Sequence, residues 1–366
     1  MQMKTPLVLL GIILVLLVLI VVLIMMPKPT KHTRVHKHDM EKYLNKEPID
    51  LVICWAGENS PGSSEYSSRA NRDEGILKYS LRSIVKHVPW IRTIYIFTDP
   101  SENYPSFLDE SRTGHKIKII DRCRYFNNSN WCPTMNSAAA YANMYKIDGL
   151  SDNFIYIDDD TLVLKDLEYT DFFTEDMKKI RTSSTFPVGL VYDLDKVKEG
   201  NVKPPANPEQ FVNSEDSHHM LALKKDLFVS LETKYPGWVD FVSSHKKRWC
   251  CCDNDSCPNP DDDCKECYDE LGIGASVPHY EAYLLDKYEY RKDFYNRPRN
   301  YNYVEDLTRI QKGDLSATSF FNINNLFEEE DYQRTHPEDF EVKKNQLHQK
   351  LEELFPQEEF YRILAT

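Results

Sequence analysis

Asp158, Asp159 and Asp160 stand in a row at the end of the apolar run Phe154-Ile155-Tyr156-Ile157. Adjacent carboxylates repel one another unless a cation lies among them, and hard oxygen ligands of this kind suit Mg²⁺ or Mn²⁺ bridging a nucleotide diphosphate. A solvated acidic turn is the simpler alternative, but Thr161-Leu162-Val163-Leu164 after the aspartates, like the run before them, is apolar enough to bury the flank. His218, with His219 beside it and Glu215 and Asp216 before it, is the second candidate. A histidine titrates near neutrality and so can serve as a general acid or base. The alternative is a pair of surface or helix-capping histidines. The third cluster is Arg72, Asp73, Lys78 and Arg82. Arg72 and Lys78 could hold phosphate oxygens, the guanidinium bidentately. Otherwise Asp73 caps a helix on whose wet face Lys78 and Arg82, four residues apart, lie.

These groups need a scaffold. Ile49 to Trp55, Ile91 to Thr98 and Lys116 to Asp121 read as buried strands, and Gly75 to His87 has helical spacing through Leu77, Leu81 and Ile84. Asn136 to Ile147 reads as a helix and Phe154 to Ile157 as a central strand. Strands alternating with helices predict an α/β domain with a mostly parallel sheet and helices on both faces. In such sheets ligands sit beyond the carboxyl ends of the strands, where the aspartates fall. Farther on, Leu221 to Glu232 reads as an amphipathic helix, Tyr280 to Tyr290 as a Tyr-rich one and Leu347 to Leu354 as a last short one.

Leu7 to Met26 is a run of twenty uncharged residues, long enough to cross the roughly 30 Å hydrocarbon core as one helix. A cleaved signal peptide would have a shorter apolar core, and Pro27-Lys28-Pro29 offers no small-residue cleavage site. The expected organisation is a cytoplasmic tail at 1–6, a transmembrane signal anchor at 7–26, a stem at 27–47 and a catalytic domain at 48–366 with a Cys-rich insert at 249–268. By the positive-inside rule, Lys28, Lys31, Arg34 and Lys37 would put the domain in the cytosol. Nine cysteines and the sequons at Asn127 and Asn254 point to the lumenal side instead. Cys123 and Cys132 could pair across the first sequon, Cys54 is expected free, and the insert reads as disulfides, with zinc at Cys264 and Cys267 the alternative. The net charge of −13 argues against nucleic acid as a partner.

By itself FIYIDDDTLVLKDL also looks like the Asp-x-Asp segment of retaining glycosyltransferases. The wider text is more specific. Arg72-Asp73-Glu74-Gly75-Ile76-Leu77-Lys78-Tyr79-Ser80-Leu81-Arg82-Ser83-Ile84, with Pro89-Trp90-Ile91-Arg92 after it, resembles the second sequence block of the Stealth family of sugar-1-phosphate transferases. Pro133-Thr134-Met135-Asn136-Ser137 and the text through Asp160 resemble the third block, Ile49 to Trp55 the first, and Phe321-Asn322-Ile323-Asn324-Asn325 with Leu354-Phe355-Pro356 the fourth. The resemblance implies a nucleotide-sugar transferase-like fold, Asp159 and Asp160 at the family's paired aspartates, and His218 as the base. It also implies substrate contacts from Trp55, Arg72, Asp73, Lys78, Arg82, Asn136, Ser137 and Asn324. The chain departs from the family at several positions: the block-one acidic or amide position falls near Gly57, a helix Glu on Tyr141, the His after it on Asn143, an Asn on Asp158 and an Asp on Asn325.

The expected activity is transfer of a sugar-1-phosphate from a UDP-sugar, UDP-GlcNAc or similar, to a glycan or glycoprotein hydroxyl, with release of UMP. Mg²⁺ or Mn²⁺ would sit on Asp158, Asp159 and Asp160. A metal-dependent glycosyltransferase releasing UDP is the first alternative and an inactive glycan-binding protein the second. The expected setting is a Golgi or other secretory-pathway membrane, in single-pass type II orientation, with a homodimer compatible with the sequence.

Overall fold

The computed structural model describes residues 47–55, 57, 75–98, 104–114, 116–132, 134, 137–182, 220–244, 276–290, 303–312, 319–323 and 336–365. The chain divides into two compact units, 1–46 and 47–366, and all the described residues belong to the second. Among them no helix is long and apolar enough to cross a membrane. The anchor at 7–26, the stem up to residue 46 and the Cys-rich insert lie outside the described residues, as does the Asn254 sequon.

In chain order, β1 (Ile49–Trp55) leads to α1 (Leu77–His87), β2 (Ile94–Thr98), the short α2 (Glu110–Thr113), β3 (Ile117–Asp121) and α3 (Ser137–Asn143). Next come β4 (Asn153–Asp158), β5 (Thr161–Val163), β6 (Ile180–Thr182), β7 (Leu221–Lys224), α4 (Lys225–Lys234) and α5 (Trp238–Ser244). The chain continues through α6 (Ser276–Leu284), β8 (Tyr288–Tyr290), α7 (Tyr303–Gln311), β9 (Phe320–Asn322), α8 (Pro337–Leu354) and α9 (Gln357–Leu364). The main sheet has the order β3-β2-β1-β4-β7. Its first four strands are parallel, and β7 closes the edge antiparallel with Leu223 opposite Phe154. The predicted mostly parallel α/β sheet is therefore present.

The strands form because their apolar residues are buried on both faces, as parallel sheets require. Val52, Tyr95, Phe97, Phe154, Tyr156, Leu221 and Leu223 share one core with α3, α4 and α5, in which Phe228 stacks on Tyr145 at 4.9 Å between ring centroids. Each such large side chain contributes about 1.5–3 kcal/mol on burial. A second core joins Ile76 and Tyr79 beside α1, Leu162 of β5, Phe321 of β9, and Phe340, Leu347 and Leu351 of α8.

Asp50, fully buried at the start of β1, fixes the turn before β4. Its carboxylate accepts from Ser151 N at 2.7 Å, Thr93 N at 3.1 Å and the Arg92 guanidinium at 2.5 Å. Gly75, at φ 78°, lets the chain enter α1 flush against α8, since a Cβ there would stand 3.0 Å from His348 Cε1.

The structure corrects three sequence expectations. Leu221 to Glu232 is not one helix, because Leu221–Lys224 pairs with β4 as β7 and the helix begins at Lys225. The Tyr-rich helix ends at Leu284, and after Asp286 at φ 54° the chain runs as β8, parallel to β6. The short C-terminal helix is the last part of the eighteen-residue α8. Cys123 and Cys132 form the expected disulfide, and Cys54 is free.

Candidate active site

Strand order reverses at β1, which has β2 on one side and β4 on the other, while β3 lies at the far edge. At such a switch point the loops leaving neighbouring strands part and open a crevice beyond their carboxyl ends. Asp158 ends β4 at this point, directly across from Cys54 of β1. Asp159 and Asp160 make the turn into β5, and all three aspartates are half-buried.

Alternation along β4 puts Tyr156 and Asp158 on the same face, toward α3. Tyr141 of α3 donates to Asp158 Oδ1 at 2.9 Å, and the Tyr156 hydroxyl donates to the same oxygen. The Tyr141 hydroxyl also contacts that of Tyr156, with their rings edge to face at 4.5 Å. Burial and then the Asp158 charge push both phenols well above their ordinary pKa, so both remain protonated donors. Burial likewise pushes up the Cys54 thiol; Asp158 and Asp159 add to the shift and Arg122 opposes it. A thiol held neutral in this way is a poor nucleophile.

Asp160 is held from the other side. Asn322 of β9 donates from Nδ2 to Asp160 Oδ1 at 2.7 Å and lies 3.0 Å from Thr161 Oγ1. The β5–β9 pairing brings it there, with Thr161 opposite Asn322. Two serines on α1 carry β5 in turn. Ser80 Oγ donates to the Thr161 carbonyl at 2.7 Å, and Ser83 Oγ accepts from Val163 N at 2.9 Å. Both serines are fully buried. The second sequence block thus sets the position of the strand that follows the aspartates.

Arg122 completes the neighbourhood. It follows β3, is 4% exposed, and donates to the Thr134 carbonyl at 2.7 Å, just ahead of α3. The Cys123–Cys132 disulfide closes the loop between these two points.

Of the substrate-binding residues expected from sequence, Arg72, Asp73, Asn136 and Asn324 lie outside the described residues, and so does His218. Ser137 opens α3, half-buried. Trp55 is buried at the carboxyl end of β1 opposite Thr98, and its indole Nε1 and the Thr98 hydroxyl make no hydrogen bond among the described residues. Arg82 is a correction. It does not lie on a wet face, because it is buried and its Nη1 donates to Glu352 at 2.6 Å and to the Phe355 carbonyl at 3.0 Å, tying α8 to α1. Lys78 lies over the Tyr79 ring at 4.7 Å and acts electrostatically on Glu352, on the same side of α1.

Sequence reading missed the parts played by Tyr141, Tyr156, Asn322 and Arg122. The spacing of Tyr156 two residues before Asp158 was a usable signal, since a strand puts such residues on one face. Tyr141 was noticed only as a departure from the family's glutamate.

Among the described residues no group of three or more His, Cys, Asp or Glu side chains is arranged to hold a metal ion. The aspartate row is thus not a three-carboxylate cage: phenols from one side orient Asp158, while Asn322 draws Asp160 from another. Mg²⁺ and Mn²⁺ bind through one or two carboxylates together with substrate phosphates and water. The oxygen donors Asp158 and Asp160 fit an ion held jointly with a diphosphate.

Residues 70–181, which include the aspartates, match the family model described as Stealth protein CR2, conserved region 2. The chain is 33% identical over 147 residues to the capsular polysaccharide phosphotransferase cps1A of Actinobacillus pleuropneumoniae, covering 36% of this chain and 39% of that protein. It is 32% identical over 169 residues to the exopolysaccharide phosphotransferase cps2G of Lactiplantibacillus plantarum, covering 42% and 48%. The match therefore spans less than half the length of these curated relatives. The solved structure of the glycosyltransferase GlyE of Streptococcus pneumoniae overlaps with a TM-score of 0.37 at 13% identity, over 83% of this chain and 64% of that one. An overlap that loose assigns nothing. Over residues 70–181, with the strand-end aspartates among them, the chain is thus similar to Stealth conserved region 2, and over much of the same stretch to bacterial polysaccharide phosphotransferases.

Proposed function

We propose that this protein transfers a sugar-1-phosphate from a UDP-sugar such as UDP-GlcNAc to a hydroxyl of a glycan acceptor, with UMP as the leaving group. The observation that carries this reading is the placement of Asp158 and Asp160. They are fixed at the carboxyl end of β4, at the switch point of the sheet, inside the region matching Stealth conserved region 2.

His218 takes the proton of the acceptor hydroxyl as the hydroxyl oxygen attacks the β-phosphorus. The bond from that phosphorus to the oxygen bridging to the α-phosphate breaks, and its electron pair leaves with UMP. Asp158 and Asp160 would hold Mg²⁺ or Mn²⁺, with Asp159 beside them; when bound, the ion supplies neutralisation of the diphosphate charge. Tyr141, Tyr156 and Asn322 keep the two carboxylates oriented before substrate arrives, so that little reorganisation remains for the chemical step. We also place the domain on the lumenal side of a Golgi or other secretory membrane, anchored by residues 7–26. The Cys123–Cys132 disulfide supports an oxidising compartment.

The test uses the full chain purified in detergent micelles with UDP-GlcNAc, Mn²⁺ and a mannoside acceptor, and identifies the released nucleotide. UMP is expected, and its release should be lost in His218→Ala and Asp160→Asn. Release of UDP overturns phosphoryl transfer in favour of glycosyl transfer or hydrolysis. Full turnover in both variants overturns the assigned residues.

A further inference from the structure

Two phenols converge on one carboxylate oxygen at the centre of the site. Tyr156 and Tyr141 both reach Asp158 Oδ1, and Tyr141 also reaches the Tyr156 hydroxyl. Each phenol has a single proton to give. Tyr156 therefore donates to Asp158, while Tyr141 divides its proton between Tyr156 and Asp158. Both side chains stand on regular elements, α3 and β4, and their rings brace each other edge to face at 4.5 Å. Satisfying the two phenols requires only an acceptor for each. Placing both on the same oxygen of a half-buried carboxylate also determines which oxygen Asp158 can offer outward.

With Oδ1 engaged twice, Asp158 presents a cation with at most one oxygen, Oδ2. That restriction separates classes of ion. Ca²⁺ takes about six to eight oxygens and readily uses both oxygens of one carboxylate, whereas Mg²⁺ and Mn²⁺ keep octahedral shells built from single oxygens. We infer that Tyr141 and Tyr156 are positioning residues that hold Asp158 as a one-oxygen ligand and so bias the site toward Mg²⁺ or Mn²⁺ over Ca²⁺. This rests on the metal-assisted reading proposed above. Asp160 is held separately, at its own Oδ1, by Asn322.

The experiment measures Mn²⁺ affinity of the full chain in detergent micelles at saturating UDP, from the electron paramagnetic resonance signal of free Mn²⁺, and Ca²⁺ affinity by competition. Tyr141→Phe and Tyr156→Phe should each weaken Mn²⁺ binding roughly tenfold, as partners behind a metal ligand generally do. The preference for Mn²⁺ over Ca²⁺ should fall with it. Phenylalanine keeps the rings and their contact and removes one hydrogen bond to a charged group, about 1–2 kcal/mol, so each variant should still melt in one cooperative transition lowered by only several degrees. Unchanged Mn²⁺ affinity in both variants overturns the inference alone, as does an equal loss for both ions. A collapse of the melting transition alongside the loss of binding assigns the phenols to the fold and overturns it too. A parent chain that binds no Mn²⁺ with UDP overturns the metal reading and this inference together.

Discussion

Replacing Asn322 with leucine tests whether β9, far along the chain, holds the site together. The amide lies 2.7 Å from Asp160 Oδ1 and 3.0 Å from Thr161 Oγ1, on a side chain only 8% exposed. A hydrogen bond to a charged group contributes roughly 1.5–3 kcal/mol and a neutral one about 1 kcal/mol. Asp160 is half-buried and can turn toward water, which puts its share at the low end, and the leucine recovers some stability by apolar burial. The net cost should be about 2 kcal/mol. The effect on turnover should be larger in proportion, because a carboxylate displaced by about an ångström can slow catalysis roughly 100-fold. Asn322→Asp should be worse on both counts, since it puts a second carboxylate where the amide now donates. The assays are urea unfolding of the full chain followed by tryptophan fluorescence, and kcat for nucleotide release at saturating donor. A leucine variant with an unchanged unfolding midpoint and kcat within twofold of the parent refutes the reasoning.

Arg82→Met should lower stability by about 2 kcal/mol, mainly through the lost hydrogen bond to the buried Phe355 carbonyl, because the half-exposed Glu352 gains less from its ion pair. Donor KM should stay unchanged, and a raised KM at parental stability would return Arg82 to the substrate. His279, fully buried on α6 and 2.9 Å from the Ala222 carbonyl, has its pKa lowered by burial to about 4, the hydrogen bond opposing the shift. The unfolded chain then binds the extra proton between an ordinary 6.5 and about 4, so stability is full above pH 6.5 and falls as the pH drops through that window. The loss totals about 3 kcal/mol. Urea midpoints that change no more between pH 7 and 4 in the parent than in His279→Gln would contradict this.

The fold was legible where local pattern and burial coincide. Ile49 to Trp55, Ile94 to Thr98 and Phe154 to Ile157 are apolar runs that lie buried on both faces wherever a parallel sheet forms, so each announces its strand without its neighbours. Leu221 to Lys224 was misread for the complementary reason. Four apolar residues before a helical pattern become an edge strand only because β4 offers them hydrogen bonds. Tyr280 to Tyr290 shows a similar limit, since the chain becomes strand after Asp286 only by meeting β6.

For the site, the sequence by itself determined the chemistry on offer: acidic oxygens at a strand end, within text specific enough to indicate a family. Only the tertiary structure decided which partners orient them. Tyr141 reaches Asp158 because α3 packs on the face where β4 alternation puts Tyr156, and Asn322 reaches Asp160 across 162 residues through the β5–β9 pairing. Arg82, a substrate-contact candidate in the sequence, pairs instead with Glu352 near the end of a helix 270 residues later. Carboxylates and strand pattern are properties of neighbouring residues, whereas the donors that aim a carboxylate depend on contacts between distant segments, which exist only once the chain has packed.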